Sequence, residues 1–224
     1  MAAQRLLGFS ILLLTGILLS GIGCASELSK LRSLAEKGDS QAQVKLASMY
    51  RLGDGVQQDR KEALRWYRQA AEQNNPDAQF ALGTLYATGD GVPQDMAIAA
   101  RWYRRAAEQG HMNAQYELAN LVVQGRGVPQ DYGEAFHWFR KAADKGHVVS
   151  QVQLGRMYER GQGIPKDNVQ AYMWWNLAAA HGDKKAMTLR EFVATQMTPG
   201  QIAEAQKLAT EWKSERSQTP DTRR

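Results

Sequence analysis

The heptapeptide GDGVPQD, from Gly89 to Asp95, carries two glycines around one acid and ends on a second acid. Glycine-rich loops can bring backbone N–H groups against a phosphate, and loops with several carboxylates can bind Ca²⁺. Either chemistry would make this stretch a binding site. The pattern, however, recurs at a fixed step of 36 residues, beginning at Gly53, Gly89, Gly125 and Gly161. Repetition at this spacing indicates a structural turn in a repeat protein.

Neither kind of binding loop fits the four copies in detail. Dinucleotide and phosphate loops need a third glycine or a Gly-Lys-Ser/Thr sequence after a strand, and no copy has them. A calcium loop needs fixed acids, yet the residue between the glycines is Asp54, Asp90, Arg126 and Gln162 in turn. We therefore assign the first glycine to a left-handed helix end. The closing aspartates are assigned to the N-caps of the following helices: Asp59, Asp95, Asp131 and Asp167.

The histidines add little chemistry. His111 and His147 share one repeat position with Asp39 and Asn75, and no other metal-binding side chain lies beside them at ligand spacing. We interpret both histidines as polar residues at the junctions between repeats. No nucleophile lies beside a base in the sequence, and the carboxylates fall at caps or on polar helix faces. The sequence therefore predicts no enzyme activity, no metal and no cofactor.

Pairs of helices must position these turns. The first half of each 36-residue unit has an apolar stripe at i, i+4 and i+8, as in Ala42, Leu46 and Tyr50, and a small residue after the leucine. The small residue indicates close contact between helices. The second half has a stripe at i, i+3 and i+7 that contains one tryptophan, which we expect to anchor the core between repeats. These tryptophans are Trp66, Trp102, Trp138 and Trp174.

The repeated residues resemble the Sel-one-like repeat, a relative of the tetratricopeptide repeat. The clearest copy begins at Ala78 with AQFALGTLY and continues to the WYRRAA that ends at Ala107. The resemblance covers about Leu34 to Asp183. It implies an all-α fold, an α/α right-handed superhelical solenoid, and a role in assembling protein complexes. The family supplies no catalytic residues.

Two copies depart from this pattern. The third has Val122 where tyrosine is expected, and the fourth has Ser150 where alanine is expected. We expect both changes to alter local packing without altering the architecture. After the fourth copy, Thr198 and Gln201 are spaced as a capping box that opens a terminal helix, which would close the exposed end of the repeats.

The chain is thus expected to comprise an export segment, four repeats, a partial fifth repeat with a capping helix, and a tail. The predicted limits are 1–25 for a signal peptide, lipoprotein signal or anchor, 26–33 for a short linker and the start of the first helix, 34–69, 70–105, 106–141 and 142–177 for the four repeats within 34–177, 178–213 for the partial fifth repeat and capping helix, and 214–224 for a disordered tail.

The segment from Leu6 to Gly23 contains no charged residue and follows a start with one arginine, Arg5. This pattern is typical of an export signal or a membrane anchor. The single cysteine, Cys24, directly follows it, and this placement resembles the bacterial lipobox, although Gly21 stands where that pattern prefers leucine. Lipidation of Cys24, plain cleavage and a retained anchor are the alternatives. The protein is therefore expected at the periplasmic face of a bacterial membrane as a lipoprotein, or as a soluble periplasmic or secreted protein.

The charge balance argues against nucleic acid as a partner. The 224 residues carry 28 basic and 23 acidic side chains, and the net charge of +5 is spread along the chain. The only local basic excess is near the end, where no aromatic residue for base stacking follows Trp212. A protein or peptide is therefore the expected partner.

Helix phase indicates which surface would hold that partner. Residues opposite the buried stripe of the first helices lie on one face of successive repeats. Packing between neighbouring first helices is the favoured explanation for the aromatic residues of this face, with a partner contact as the alternative, so the polar members are the better candidates for specificity. The candidate partner-binding residues are Ser48, Arg51, Phe80, Thr84, Tyr116, Asn120, Val152 and Arg156.

From these features we expect a non-catalytic scaffold of the bacterial cell envelope that binds a peptide or protein along a concave groove. A periplasmic regulator that masks a sensor or secretion component is an alternative from a different class. A cell-wall hydrolase, assembled from residues distant in sequence, is a third.

Overall fold

The computed structural model describes residues 26–218, and all regular secondary structure in this part is helical. The predicted export segment, 1–25 with Cys24, and the last residues, 219–224, lie outside the described part. The helices are α1 (26–36), α2 (Ser40–Leu52), α3 (Arg60–Glu72), α4 (Pro76–Thr88), α5 (Met96–Glu108), α6 (Met112–Gln124), α7 (Tyr132–Asp144), α8 (Val148–Arg160), α9 (Asn168–Ala180), α10 (Lys184–Ala194) and α11 (Pro199–Gln218).

The predicted helix pairs and turns are confirmed. The first helices of the four repeats are α2, α4, α6 and α8, and the second are α3, α5, α7 and α9. Each of these eight helices has 13 residues, and the fold is an all-α solenoid. The first glycine of each motif ends a first helix in the left-handed region, as at Gly53 with φ 75°. The predicted N-cap aspartates also cap the second helices; for example, Asp131 Oδ1 accepts from Glu134 N–H at 2.9 Å.

The second glycine of the motif has a role that the sequence did not reveal. A Cβ on Gly127 would lie 2.3 Å from the carbonyl carbon of Met96, at the start of α5. The equivalent Gly163 meets the backbone of Tyr132, at the start of α7, at 2.5 Å. Such distances are too short for any side chain. In the third and fourth repeats, therefore, the turn packs directly on the backbone of the second helix of the preceding repeat.

The chain divides into two compact units, one ending at Gln94 and the other beginning at Asp95. In the first unit α3 packs against both α2 and α4. In the second unit each helix from α5 to α10 packs against the next, and α11 packs against α9. The core of each unit consists mainly of alanine, leucine and aromatic side chains. The small alanine side chains let the helices approach closely. The leucine and aromatic side chains fill the space between the helices.

The expectation that all four repeat tryptophans anchor the core is correct for three of them. Trp66, Trp138 and Trp174 are 5%, 6% and 0% exposed. Trp102 is only half-buried, because the face of α5 that carries it lines a cleft open to solvent. Trp175 is buried as well, and its indole N–H donates to the Val152 carbonyl at 3.0 Å.

Gly155 confirms the predicted close contact at the small residue after the leucine. A Cβ at this position would lie 2.3 Å from the indole nitrogen of Trp175. The absence of a side chain at Gly155 of α8 therefore makes room for the Trp175 indole of α9.

Four buried glutamines join the repeats, a feature that the helical stripes did not predict. Each donates through its side-chain nitrogen to the backbone carbonyl of the alanine eight residues earlier, near the end of the preceding helix. Each of these carbonyls also accepts a backbone N–H from the turn three residues further on, so the glutamine adds a second hydrogen bond at the end of the helix. The pairs are Gln43 with Ala35, Gln79 with Ala71, Gln115 with Ala107, and Gln151 with Ala143.

The departure at Val122 changes local pairing, as expected. In the first unit Arg68 donates to the Tyr86 hydroxyl at 2.8 Å, so an arginine of one helix binds the tyrosine of the next. Val122 removes this hydroxyl and is fully buried. The third repeat instead pairs Arg104 with Glu134.

The terminal helix begins as predicted but ends later. Thr198 N–H donates to Gln201 Oε1 at 2.9 Å, and Gln201 N–H donates to Thr198 Oγ1 at 3.3 Å, which completes the capping box. The Trp212 ring meets Trp174 edge-on at a centroid distance of 5.9 Å. Arg216 lies over the Trp212 ring at 4.7 Å, and the helix continues to Gln218, into the segment predicted as a disordered tail.

Candidate partner-binding surface

In the first unit, Ser48, Phe80 and Thr84 are half-buried residues of α2 and α4. The Thr84 hydroxyl donates to the Phe80 carbonyl of its own helix at 3.1 Å. Its side-chain donor is therefore already used within α4. These three side chains lie on the predicted face but present only part of their surface to solvent.

Arg51, at the end of α2, is held by an acid from the turn after α4. Its Nη1 lies 3.9 Å from Asp90 Oδ2, and Arg60 also binds the Asp90 carboxylate. Asp90 is the residue between the two glycines of its motif, so in this copy the acid orients two arginines. Arg51 thus offers a positioned guanidinium that already shares one carboxylate.

In the second unit, Tyr116 has a packing role. Its ring lies 4.9 Å from the His147 imidazole and 6.0 Å from Phe139, centroid to centroid. Because these contacts join α6 to α7 and to the N-cap of α8, they support the packing explanation for the aromatic at this position.

Val152 was predicted as a partner contact, but it is 5% exposed. Its carbonyl accepts the Trp175 indole N–H, which brings α9 against this part of α8. The prediction is wrong for the Val152 side chain. Helix phase describes α8 alone, and the Trp175 indole that packs beside Val152 belongs to α9.

The polar candidates of the second unit remain accessible. Asn120 and Arg156 are half-buried, and the Asn120 amide has no hydrogen-bond partner among residues 26–218. Within the same range, the Arg156 guanidinium donates only to Gln153 Oε1, at 3.5 Å. Neither side chain is needed to satisfy a buried group of the fold. Both are therefore free to select a partner.

Phe192 occupies the same repeat position as Asn120 and Arg156, but it was not among the partner-binding candidates predicted from the sequence. It lies on α10, 36 residues after Arg156, and is 56% exposed. Counting one further repeat would have found it, but the missing glycine turn after α10 made the fifth repeat look incomplete. We define the inner set of the second unit as Asn120, Arg156 and Phe192.

Glu117, on α6, is a half-buried acid near the inner set. Burial raises the pKa of Glu117, next to Tyr116 in the chain, and no cation pairs with it in the described part. A cationic group from a partner would stabilise the charged form of this side chain. The inner set thus combines an amide, a guanidinium and an exposed ring, with an acid on the same helix as the amide.

A polar cleft of about 620 Å³ lies among α1, α2 and α3. Gln43, Gln69 and Gln73 line it together with Trp66 and Arg65. The Gln73 side-chain nitrogen donates to Gln43 Oε1 at 2.8 Å, and the Gln43 nitrogen donates to the Ala35 carbonyl, so these two amides already serve the packing of the cleft.

The two histidines interpreted as polar junction residues serve as N-caps. His111 Nδ1 accepts from Ala114 N–H at 3.1 Å, and His147 Nδ1 accepts from Ser150 N–H at 3.3 Å. Burial lowers the pKa of His147. Within residues 26–218, no three histidine, cysteine or acidic side chains are grouped to bind a metal ion. In the same range, no helix combines the length and apolar character that crossing a membrane requires.

Comparison with known families gives a match to the Sel1 repeat at residues 40–75, 76–111, 113–147 and 148–183, which together make up more than half of the chain. The matched segments begin at or within one residue of α2, α4, α6 and α8. Among curated proteins, none matches this chain.

Several solved structures are similar. A Sel1 repeat protein from Oxalobacter formigenes is 39% identical, with a TM-score of 0.70 over 74% of this chain and 48% of its own. A protective antigen with an SLR fold, present in uropathogenic Escherichia coli strains, is 27% identical, with a TM-score of 0.41 over 84% of this chain and 56% of its own. An immunity protein from Pseudomonas aeruginosa is 22% identical, with a TM-score of 0.47 over 84% of this chain and 71% of its own. The present chain spans about half the length of the Oxalobacter protein.

Proposed function

Because this chain belongs to the Sel1 repeat family, whose members generally mediate protein–protein interaction and are typically non-catalytic, we propose that it is a scaffold of the bacterial cell envelope that binds a peptide or protein on the face formed by its first helices. The observation that carries this proposal is the inner set of the second unit. Asn120, Arg156 and Phe192 take equivalent places in α6, α8 and α10, yet none of them fills the core.

The chemistry of the inner set suits a polypeptide. An amide offers both donor and acceptor, a guanidinium binds a carboxylate through two parallel bonds, and an exposed ring covers an apolar side chain. A rigid helical framework holds these groups in place before binding, which lowers the ordering cost of association.

The terminal helix, α11, packs away from the face formed by the first helices. It packs against α9, a second helix, where Ala205 and Ala209 are buried and Gln206 donates to the Tyr172 hydroxyl at 3.4 Å. The capping helix therefore occupies the side of the second helices, which supports a role for the first helices in binding.

The envelope location rests on the sequence of residues 1–25. We propose that Cys24 is lipidated and tethers the repeats to a membrane, with cleavage or retention of the segment as the other outcomes. The mass of the mature N-terminus, compared between the native chain and Cys24→Ser, distinguishes the three.

Site-specific photo-crosslinking in the producing cell tests the binding face. A benzophenone amino acid placed at Asn120 or Phe192 is expected to capture one discrete partner, to be identified by mass spectrometry and then bound in purified form. The matched control places the same group at Asp144, an exposed residue at the end of α7. Equal capture from both faces, or capture from Asp144 alone, would refute the assignment of the first helices.

A further inference from the structure

One face of α5 differs from the same face of the other second helices. It carries Ile98, Arg101, Trp102 and Arg105, at the i, i+3, i+4 and i+7 spacing that places side chains side by side. These residues line a shallow cleft of about 180 Å³. The equivalent tryptophans of the other three repeats are at most 6% exposed, whereas Trp102 is half-buried. α5 therefore presents at its surface an indole that the other repeats bury.

The cations beside this indole, Arg101 and Arg105, have no acidic partner in the described part of the chain. In α3, Arg65 occupies the place of Arg101 and forms an ion pair with Glu62. In α5, Ile98 stands at the place of that glutamate. Arg101 and Arg105 are both exposed, and neither forms an ion pair with any of residues 26–218. The repeat comparison thus shows that the acid paired with the equivalent of Arg101 is replaced by an apolar residue, and that Arg105, at the place of Gln69, adds a second cation beside it.

The third repeat reinforces this contrast. There Glu134 stands at the place of Ile98, accepts the Trp138 indole N–H at 3.1 Å and pairs with Arg104. The repeats on both sides of α5 therefore supply a carboxylate next to their tryptophan, and the second repeat does not.

We propose that Arg101, Trp102 and Arg105 bind an acidic segment of a partner protein. The partner supplies a carboxylate in place of the glutamate that other repeats have at the position of Ile98. This carboxylate lies between the guanidinium groups of Arg101 and Arg105. Arg105 is already oriented for this contact, because its guanidinium lies 4.8 Å from the centre of the Trp102 ring. An apolar residue next to the acid then covers Ile98 and the indole. This inference rests on the proposed protein-binding function and adds a second contact surface to it.

A protein partner fits this surface better than an anionic membrane does. Membrane-binding clusters usually combine about 4–8 basic residues, and this face offers two. Glu108, exposed at the end of α5, lies three residues beyond Arg105 and would be repelled by a uniformly negative surface. A discrete peptide can place its acid between the arginines and avoid Glu108.

The test is fluorescence anisotropy with the full-length protein and a fluorescein-labelled peptide of sequence Glu-Glu-Leu-Glu-Glu. Arg101→Gln combined with Arg105→Gln is expected to weaken binding about 10-fold, which corresponds to about 1.4 kcal/mol. Trp102→Ala should weaken it about 3-fold, the size of a modest cation–π and stacking contribution. Both sets of residues are at the surface, and unchanged helical circular dichroism will show that the fold is kept.

Arg65→Gln is the matched control, because Arg65 holds the same repeat position but is paired with Glu62. It should change the affinity by less than about 2-fold. Absence of peptide binding by the native chain, an unchanged affinity in the double variant, or an equal loss in Arg65→Gln would overturn the proposal. Binding to phosphatidylglycerol vesicles but not to the peptide would assign the face to a membrane instead, and would also overturn it.

These outcomes are separable from those of the proposed function. A lack of crosslinking at Asn120 and Phe192 would contradict the binding face on α6 and α10. It would not contradict peptide binding by α5. A lack of peptide binding would contradict the proposed role of α5. It would not contradict partner binding by the inner set of the second unit.

Discussion

His147 caps α8 through a ring nitrogen, which makes this junction sensitive to pH. The Nδ1 atom can accept the Ser150 N–H only while that nitrogen carries no proton. Burial lowers the pKa of His147 and so favours the neutral ring in the folded protein. At the equivalent junction Asn75 uses a side-chain oxygen, which does not titrate.

We predict that the free energy of unfolding falls as the pH drops below about 6.5, the usual pKa of histidine in an unfolded chain. Below that value the unfolded chain takes up a proton that folded His147 binds less readily, so stability present above the unfolded pKa is lost as the pH falls through the folded pKa. Urea denaturation at neutral and mildly acidic pH measures the effect. His147→Asn should keep the cap and show a smaller pH dependence. An equal pH dependence in the variant would show that other groups cause it.

At the scale of the element, the glycine turns fix how repeats pack in the second unit. Gly127 combines a left-handed backbone, φ 71°, with an approach to Met96 that leaves no room for a methyl group. Gly38 also has a positive φ, 94°, but nothing lies within 4 Å of the position its Cβ would take. The two glycines therefore separate the cost of backbone strain from the cost of a clash.

We predict that Gly127→Ala destabilises the protein clearly more than Gly38→Ala does. Both changes force alanine into the left-handed region, which costs about 1 kcal/mol. Only the first must also push α5 away from the turn, and overpacking of this kind adds about 1–3 kcal/mol. Chemical denaturation of the two variants gives the comparison. Equal losses in the two variants would mean that the contact between turn and helix relaxes freely.

The buried glutamines operate at the same scale. Each binds the end of the preceding helix, and no periodic apolar pattern marks them, because they lie beside the stripe rather than within it. Their recurrence at one place in every repeat was visible in the sequence. Their role became clear only when the acceptor, a backbone carbonyl eight residues earlier, was located.

At the scale of the whole molecule, the terminal helix completes the core of the second unit. Trp174 is fully buried, and the Trp212 ring of α11 lies against it. A repeat without a following neighbour exposes an apolar face, which favours self-association.

We predict that ending the chain after Met197 exposes Trp174 and leads to self-association and a lower melting temperature. Sedimentation velocity and thermal unfolding monitored by circular dichroism measure these effects. The control ends the chain after Gln218, so that α11 is retained, and it should behave as the full chain does. A monomeric, equally stable protein lacking α11 would show that α10 alone closes the repeats.

The sequence by itself determined the helices, their turns, their caps and the family, because these depend on contacts within a few residues of one another. Asp131, Gly53 and the capping box at Thr198 could be placed from spacing alone for this reason. Helix phase also placed Arg51 and Asn120 outside the buried stripe, where both are half-buried.

Only the tertiary structure decided which side chains are covered. Val152 is buried because an indole from α9 reaches it, and Phe192 is exposed on α10, while α11 packs against α9. Trp102 keeps part of its surface in solvent while Trp66, at the same phase, does not. Burial depends on what the neighbouring helix carries, and that information lies tens of residues away from the residue it governs.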